Sequence, residues 1–275
     1  MNILRAYCTK NQCYMVGKPF IAKGLMLHSV GCNQPSAAVF SKNFNEYQPG
    51  GRQICVHGFI DANNGDVYQT LPWTMRGWHG GGKSNDTHIG VEMCEPACIK
   101  YTSGSNFTCS DLEKARKNCE TTYNSAVELF AYLCKELNLD PLADGVIISH
   151  CEGNKRGIAS NHGDPEHLWR GLKMSYTMDG FRRDVHAAMS NVQYKPVVNT
   201  NKPYKPSDSS FRVRVLDTAL NIRNAPGLSS QIVGVISDGG VYTIVETAKV
   251  GNVEWGKLKS GAGWISLGNK YVVKL

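Results

Sequence analysis

No stretch of this 275-residue chain is apolar for the ~20 residues that a membrane-spanning helix needs, so membrane insertion is not expected. The N-terminus, MNILRAYCTKNQCYMVG, has no basic segment leading into an apolar one, the mark of a secretory signal. The expectation is a soluble product made in the cytoplasm that acts elsewhere only after something releases it. Nor is there a C-x-x-C pair among the ten cysteines, all of which lie before residue 152. Several, such as Cys55, Cys94 and Cys134, sit in apolar runs, which predicts buried thiols and not a disulfide framework. The looser spacings Cys8/Cys13 and Cys94/Cys98 leave a four-cysteine structural zinc site as a weaker alternative. Residues 211–275 hold no histidine and no cysteine, so metal or nucleophile chemistry belongs upstream.

What is present is unevenly spread. Residues 1–190 carry 19 Lys+Arg against 18 Asp+Glu, whereas residues 191–275 carry 11 against 5. Six of the seven net positive charges therefore ride on the last third, which favours attraction to an anionic polymer or surface. The composition also changes there. Residues 191–210 (NVQYKPVVNTNKPYKPSDSS) hold three prolines and no apolar periodicity, the composition of a linker. Residues 211–275 then alternate short β-branched runs with Gly and Asn turns, which predicts a small all-β barrel.

The first 190 residues read differently. Strands are predicted at Gly24–Val30, Ile54–Ile60, Val67–Leu71, His88–Met93 and from Val146, the second and third forming a hairpin around the turn Asn63-Asn64-Gly65-Asp66. Helices are predicted at Pro35–Phe44, from a capping box of Ser110 and Glu113 to Asn138, and over Asp179–Met189. The long helix shows one apolar stripe through Leu112, Ala115, Cys119, Ala126, Val127, Phe130, Leu133, Cys134 and Leu137. The expected fold class is α/β, a mixed central sheet flanked by helices, with the all-β unit appended.

The stretch Val146–Trp169 is where chemistry concentrates. A β-branched run delivers His150, and a polar loop returns with His162, Asp164 and Pro165. His28 likewise ends a predicted strand. Two histidines and one carboxylate leave the fourth tetrahedral position of a zinc ion open, which is the composition of a catalytic site. Glu92 is the one charged residue in an otherwise apolar strand, a costly position without a task or a partner.

These residues sit in a larger pattern: LMLHS at 25–29, VHGFID at 56–61, GDVYQ at 65–69, RGWHGG at 76–81, SNDTHIGVE at 84–92, SHCEG at 149–153 and NHGDP at 161–165. In this order the pattern resembles the type 2 N-acetylmuramoyl-L-alanine amidases, which share the peptidoglycan recognition protein fold. The segment RGIASNHGDP is especially similar to cell-wall amidases of Gram-positive bacteria and their phages. The resemblance implies one zinc ion held by His28, His150 and Asp164, with Glu92 as the carboxylate that activates water. His162 falls where many relatives have an oxyanion-stabilising Lys, and His57 where some have a catalytic Tyr. His79, in the recurring W-H-G segment, is expected either to line the groove with His57 as a substrate contact or to serve a structural role. The bond cut joins the lactyl group of N-acetylmuramic acid to L-alanine of the stem peptide. The run LNIRNAPGLSSQIVGVI, with WGKLK and GWISL, resembles the SH3-like domains of bacterial wall hydrolases. Expected domains are therefore a zinc amidase at 1–190, a linker at 191–210 and an SH3-like wall-binding domain at 211–275. Peptidoglycan is the expected partner of both domains, and nucleic acid is not expected.

Other functions compete. One is a peptidoglycan-binding protein without catalysis, although such members usually lack a ligand and all three are present here. Another is a Cys/His peptidase using Cys151, which on a continuing strand would point away from His150's side. A third is a glycosidase using Glu92 and Glu152, which leaves the histidines unexplained. Both a phage endolysin and a bacterial autolysin fit the sequence; the missing secretory signal favours the endolysin.

Overall fold

In the computed structural model, which describes residues 1–46, 54–190, 210–216, 219–228, 230–250, 253–268 and 271–275, the chain divides into two units, Met1–Lys202 and Pro203–Leu275. Of the expected linker at 191–210, all but the last residue lies outside the described residues.

The first unit is built on a six-stranded sheet. Its strands are β1 (Ile3–Arg5), β2 (Gly24–Ser29), β3 (Gly58–Ile60), β4 (Val67–Gln69), β5 (His88–Met93) and β8 (Ile147–Ser149), in the order β1-β4-β3-β5-β2-β8. Only β3 and β4 pair antiparallel; β5, β2 and β8 run parallel in its middle and at one edge. Every residue of β2 is buried. A parallel strand covered on both faces reads as a continuous apolar run, as GLML does here. The polar His28 and Ser29 come only at its end, beside the end of β8.

Alternation decides which residues meet the core. Leu25 and Leu27 of β2, with Ile89, Val91 and Met93 of β5, pack in one cluster with Ala115, Cys119, Ala126 and Phe130. The last four belong to α3 (Leu112–Leu137), the predicted long helix. Phe130 meets Phe181 of α6 (Met178–Met189) edge-on at 5.2 Å between ring centres. Met26 and His28 point to the opposite face by the two-residue period. One face of the sheet thus builds the core and the other builds the site.

Several boundaries differ from expectation. The cap of α3 is Asp111, whose side chain accepts from the Lys114 N–H, and not Ser110, whose hydroxyl donates to the Cys98 carbonyl. Asp is as good a cap as Ser, and either is worth ~1 kcal/mol over Ala. Leu112, expected in the apolar stripe, is exposed because it falls in the first turn. The strand expected over Ile54–Ile60 is regular only from Gly58, and Cys55 makes an isolated bridge to Trp78. The polar loop expected after His150 begins instead as a helix, α4 (His150–Lys155), set by a capping box between Ser149 and Glu152. A hairpin of β6 (Ile99–Ser103) and β7 (Asn106–Cys109) was not expected. The remaining helices are α1 (Gln12–Val16), α2 (Ala37–Phe44) and α5 (Glu166–Gly171). None of the ten cysteines is in a disulfide.

The second unit is all-β. Strands β9 (Phe211–Val215), β10 (Leu220–Arg223), β11 (Ile232–Ile236), β12 (Val241–Val250), β13 (Val253–Leu258), β14 (Trp264–Ser266) and β15 (Val272–Lys274) form one antiparallel sheet, ordered β11-β10-β14-β13-β12-β9-β15. The edge strands β11 and β15 contribute Ile236 and Val272 to a single core with Val213, Ile244 and Ile265. The sheet therefore curls until its edges share one interior. Trp255 and Trp264 are both buried.

Candidate metal centre

Three elements bring three side chains to one point. His28 comes from the end of β2, His150 from the first turn of α4, and Asp164 from the loop entering α5. His28 Nδ1 lies 3.0 Å from His150 Nδ1 and 3.3 Å from Asp164 Oδ2, and His150 Nδ1 lies 3.7 Å from Asp164 Oδ1. All three are buried, and among the described residues they form the one group able to hold a metal ion. The two cysteine pairs considered as an alternative form no such group.

The donor set fits zinc. Tetrahedral coordination at 2.0–2.1 Å spaces ligand atoms ~3.3 Å apart, and the three separations bracket that value. Without an ion, two ring nitrogens would face each other at hydrogen-bond distance beside a carboxylate. Burial opposes charge on His28, but the Asp164 hydrogen bond and the charges of Glu92 and Asp164 outweigh it and push the ring up. Burial, His28 and His162 hold His150 down to about 4, although Asp164 pulls the other way. Burial likewise opposes charge on Asp164, yet His28 and His150 win and draw its carboxyl below the usual range.

Glu92 stands on β5 directly across from His28 in the parallel register. Its Oε2 is buried without a hydrogen-bond partner. Burial pushes its carboxyl up to about 8, with His28 opposing and Asp164 and Glu95 reinforcing. A groove of about 1260 Å³ opens over these groups, lined by Glu92, His150, His162 and Asp164 and walled by Trp78 and Tyr101. His162 is exposed on the groove, its ring centre 4.4 Å from that of His150, and its Nδ1 is 3.1 Å from Ser160 Oγ.

The two other histidines singled out in the sequence are both held by the fold. His57 is fully buried and does not line the groove. Its Nδ1 accepts from the Gly90 N–H and its Nε2–H donates to the Met75 carbonyl, so no ring atom is left for a substrate. Burial is the main reason that it is held down to about 4. His79 does line the groove, but only 9% of it is exposed and both nitrogens are occupied, by His28 and by the His88 carbonyl. Burial, then His28 and His57, hold it well below the ordinary histidine range.

The competing chemistries lose their geometry. Cys151 lines the groove because His150 opens a helix and not a strand, so the opposite-face expectation fails. His150 nevertheless has no nitrogen to spare for it: Nδ1 faces His28 and Nε2 lies 3.1 Å from Ser160 Oγ. Glu152 is tied to Arg182 at 2.7 Å and to the α4 cap, and unlike Glu92 it does not line the groove.

Sequence reading missed two groups of the groove wall, Tyr101 and His167, and Glu95 buried behind them. Tyr101 of β6 donates to Glu95 Oε2 at 2.6 Å, and its oxygen is 2.6 Å from His167 Nε2. Glu95 is wholly buried and held up to about 7 by that burial. The signal for it was present, a second acid three residues after Glu92 in the same apolar stretch.

A mixed α/β sheet that delivers two histidines and a carboxylate to the floor of a groove defines a protein able to hold one metal ion beside a substrate. The chain belongs to the N-acetylmuramoyl-L-alanine amidase (Amidase_2) family, whose pattern matches residues 18–167, more than half its length. It is accordingly an enzyme of the N-acetylmuramoyl-L-alanine amidase class, with peptidoglycan as its substrate. Among solved structures, the catalytic domain of XlyA is similar at 20% identity over 67% of this chain and 99% of that one, with a TM-score of 0.46. Staphylococcus aureus hydrolase AmiA in complex with its ligand is similar at 17% identity over 64% and 77%, with a TM-score of 0.47. A mutant endolysin from Bacillus subtilis is similar at 20% identity over 67% and 99%, with a TM-score of 0.45. At such scores the family match carries the assignment alone. Comparison with curated proteins gives no match.

Proposed function

We propose that this amidase is zinc-dependent and hydrolyses the amide between the lactyl group of N-acetylmuramic acid and L-alanine, thereby lysing bacterial walls. The observation that carries this reading is the set of three buried donors at 3.0–3.7 Å, with Glu92, whose Oε2 has no hydrogen-bond partner, opposite one of them on the neighbouring strand. His28, His150 and Asp164 would hold the ion, which supplies Lewis acidity toward the amide carbonyl and the attacking water. The positive charge of the ion would offset the burial that raises the Glu92 carboxyl, so that Glu92 would be ionised, take the proton of that water and return it to the departing amine. His162, exposed on the groove rim, donates a hydrogen bond to the oxygen on which negative charge develops. The groove walls hold the glycan and stem peptide on either side of this point.

Residues 211–275 are read as an SH3-like module that binds the wall. The curled antiparallel sheet and the net positive charge of the last third support this reading. A weak binder linked to the catalytic unit raises the local concentration of polymeric substrate. The endolysin role follows the same reading, as a wall-lysing enzyme that works once it reaches the wall.

Digestion of purified walls tests the reaction. Newly exposed L-alanine amino groups, abolished by a chelator and restored by zinc, are the expected result. New reducing sugar ends without free amino groups would replace the amidase reading with a glycosidase.

A further inference from the structure

Behind the three donors the His88 carbonyl, the His79 ring and the His28 ring stand in line. The His88 oxygen lies 3.0 Å from His79 Nε2 and can only accept, so the proton of His79 sits on Nε2. The ring is buried and has no carboxylate among its hydrogen-bond partners, which makes a second proton costly. Its Nδ1 is therefore an acceptor. That Nδ1 lies 3.0 Å from His28 Nε2, so His28 must supply the proton between them. In neutral His28 the lone pair is then on Nδ1, the atom that faces His150 and Asp164.

We propose that His79 is a positioning residue: it fixes His28 in the one tautomer whose Nδ1 can bind the ion, and it is itself fixed by the His88 carbonyl. This rests on the reading of His28, His150 and Asp164 as zinc ligands. The outer nitrogen of a metal-bound histidine commonly has such a partner, and losing it costs 10–100-fold in affinity. His150 is held differently. Its Nε2 meets the Ser160 hydroxyl at 3.1 Å, a group that is shared with the Gly80 carbonyl and His162 Nδ1 and not a second histidine ring.

The seat of His79 is built for it. Its backbone N–H donates to Asn85 Oδ1 at 2.8 Å. Its ring lies on the backbone of Gly90, where a methyl group would stand 2.3 Å from Cγ and 2.4 Å from Nδ1. Gly90 is therefore a glycine so that the relay can close, which joins the W-H-G and H-I-G-V-E segments into one device.

The test measures zinc affinity of the full-length protein by competition with a chromophoric chelator, together with long-range proton–nitrogen spectra of the histidine rings in the zinc-loaded state. His79→Leu removes the acceptor, and zinc Kd should rise ~10–100-fold. His79→Asn, whose Oδ1 stands near the position of Nδ1, should recover most of that loss, a recovery that mere space-filling would not give. Gly90→Ala keeps the imidazole but displaces it, and should weaken zinc as His79→Leu does; it decides the matter if His79→Leu does not fold. The wild-type spectrum should show His28 bound through Nδ1 with its Nε2–H protected from exchange. Coordination through His28 Nε2, or wild-type zinc Kd in folded His79→Leu, overturns the proposal. His150→Ala is the separate control: if it keeps wild-type zinc affinity, the ligand assignment itself has failed, and the proposal with it.

Discussion

His28 and Glu92 are register partners across the parallel strands β2 and β5, so one step of strand pairing sets a proposed metal ligand beside a proposed base. A slip of one residue in that pairing would turn the side chain on the slipped strand toward the α3 core and separate the two. The strands leave little freedom for this, since every β2 residue and all but Glu92 of β5 are buried.

Glu92→Gln keeps the shape of the side chain but cannot take a proton. Turnover should fall by ~10²–10⁴ while zinc content stays at the wild-type level. Near-normal turnover in the zinc-loaded variant would remove Glu92 from the mechanism.

His162 is exposed on the groove and has no place among the three donors. His162→Ala should therefore leave zinc content and thermal stability unchanged and lower kcat ~10²–10³-fold, the scale of one lost oxyanion donor. Loss of zinc on this substitution would make His162 a ligand and reopen the assignment of Asp164.

Glu95 gives the fold a pH dependence. Burial raises its carboxyl from 4.5 to about 7, so the folded state keeps a proton that the unfolded chain releases. The associated stability is fully present below about pH 4.5 and is lost as pH rises through about 7. Glu95→Gln removes this slope while offering Tyr101 an amide to bond. In denaturant unfolding of zinc-free protein, wild type should lose up to about 3 kcal/mol relative to the variant between pH 4 and pH 8. Parallel stability profiles would show that Glu95 is already ionised in the fold.

Division of labour between the units is also measurable. Residues 1–202 alone should cleave soluble muropeptide at the full-length rate. On intact walls the truncated enzyme should be slower at low salt, and the gap should narrow as salt screens the charges of the last third. Equal rates on walls at low salt would sink the targeting role of the second unit.

Much of this was legible in the sequence, for identifiable reasons. Strands β2, β5 and β8 are short apolar runs with a polar residue at or near the end, and the 3.6-residue stripe of α3 has few other readings. The helix at His150 was legible too, since Ser149-His-Cys-Glu152 is a capping box, but the Gly and Asn that follow masked it. The hairpin β6–β7 was legible as well and was missed: Ile99 and Tyr101, then Phe107 and Cys109, alternate with exposed polar residues on either side of a turn that contains Gly104. The true surroundings of His57 and His79 were beyond sequence reading altogether. Apart from the His28 ring that meets His79, their partners are backbone groups of Met75, Gly90 and His88, which carry no side-chain signal and come together only in the fold.

The place of Cys151 has a consequence for how this enzyme would be assayed. Its half-buried thiol lines the groove one residue after His150, whereas Cys8, Cys55, Cys94, Cys119 and Cys134 are sealed in the interior. An alkylating reagent would plant an adduct in the substrate path and abolish turnover without touching the reacting atoms. Iodoacetamide inhibition would thus imitate a thiol protease, and a Cys151→Ser enzyme that keeps its activity while losing that sensitivity would expose the imitation.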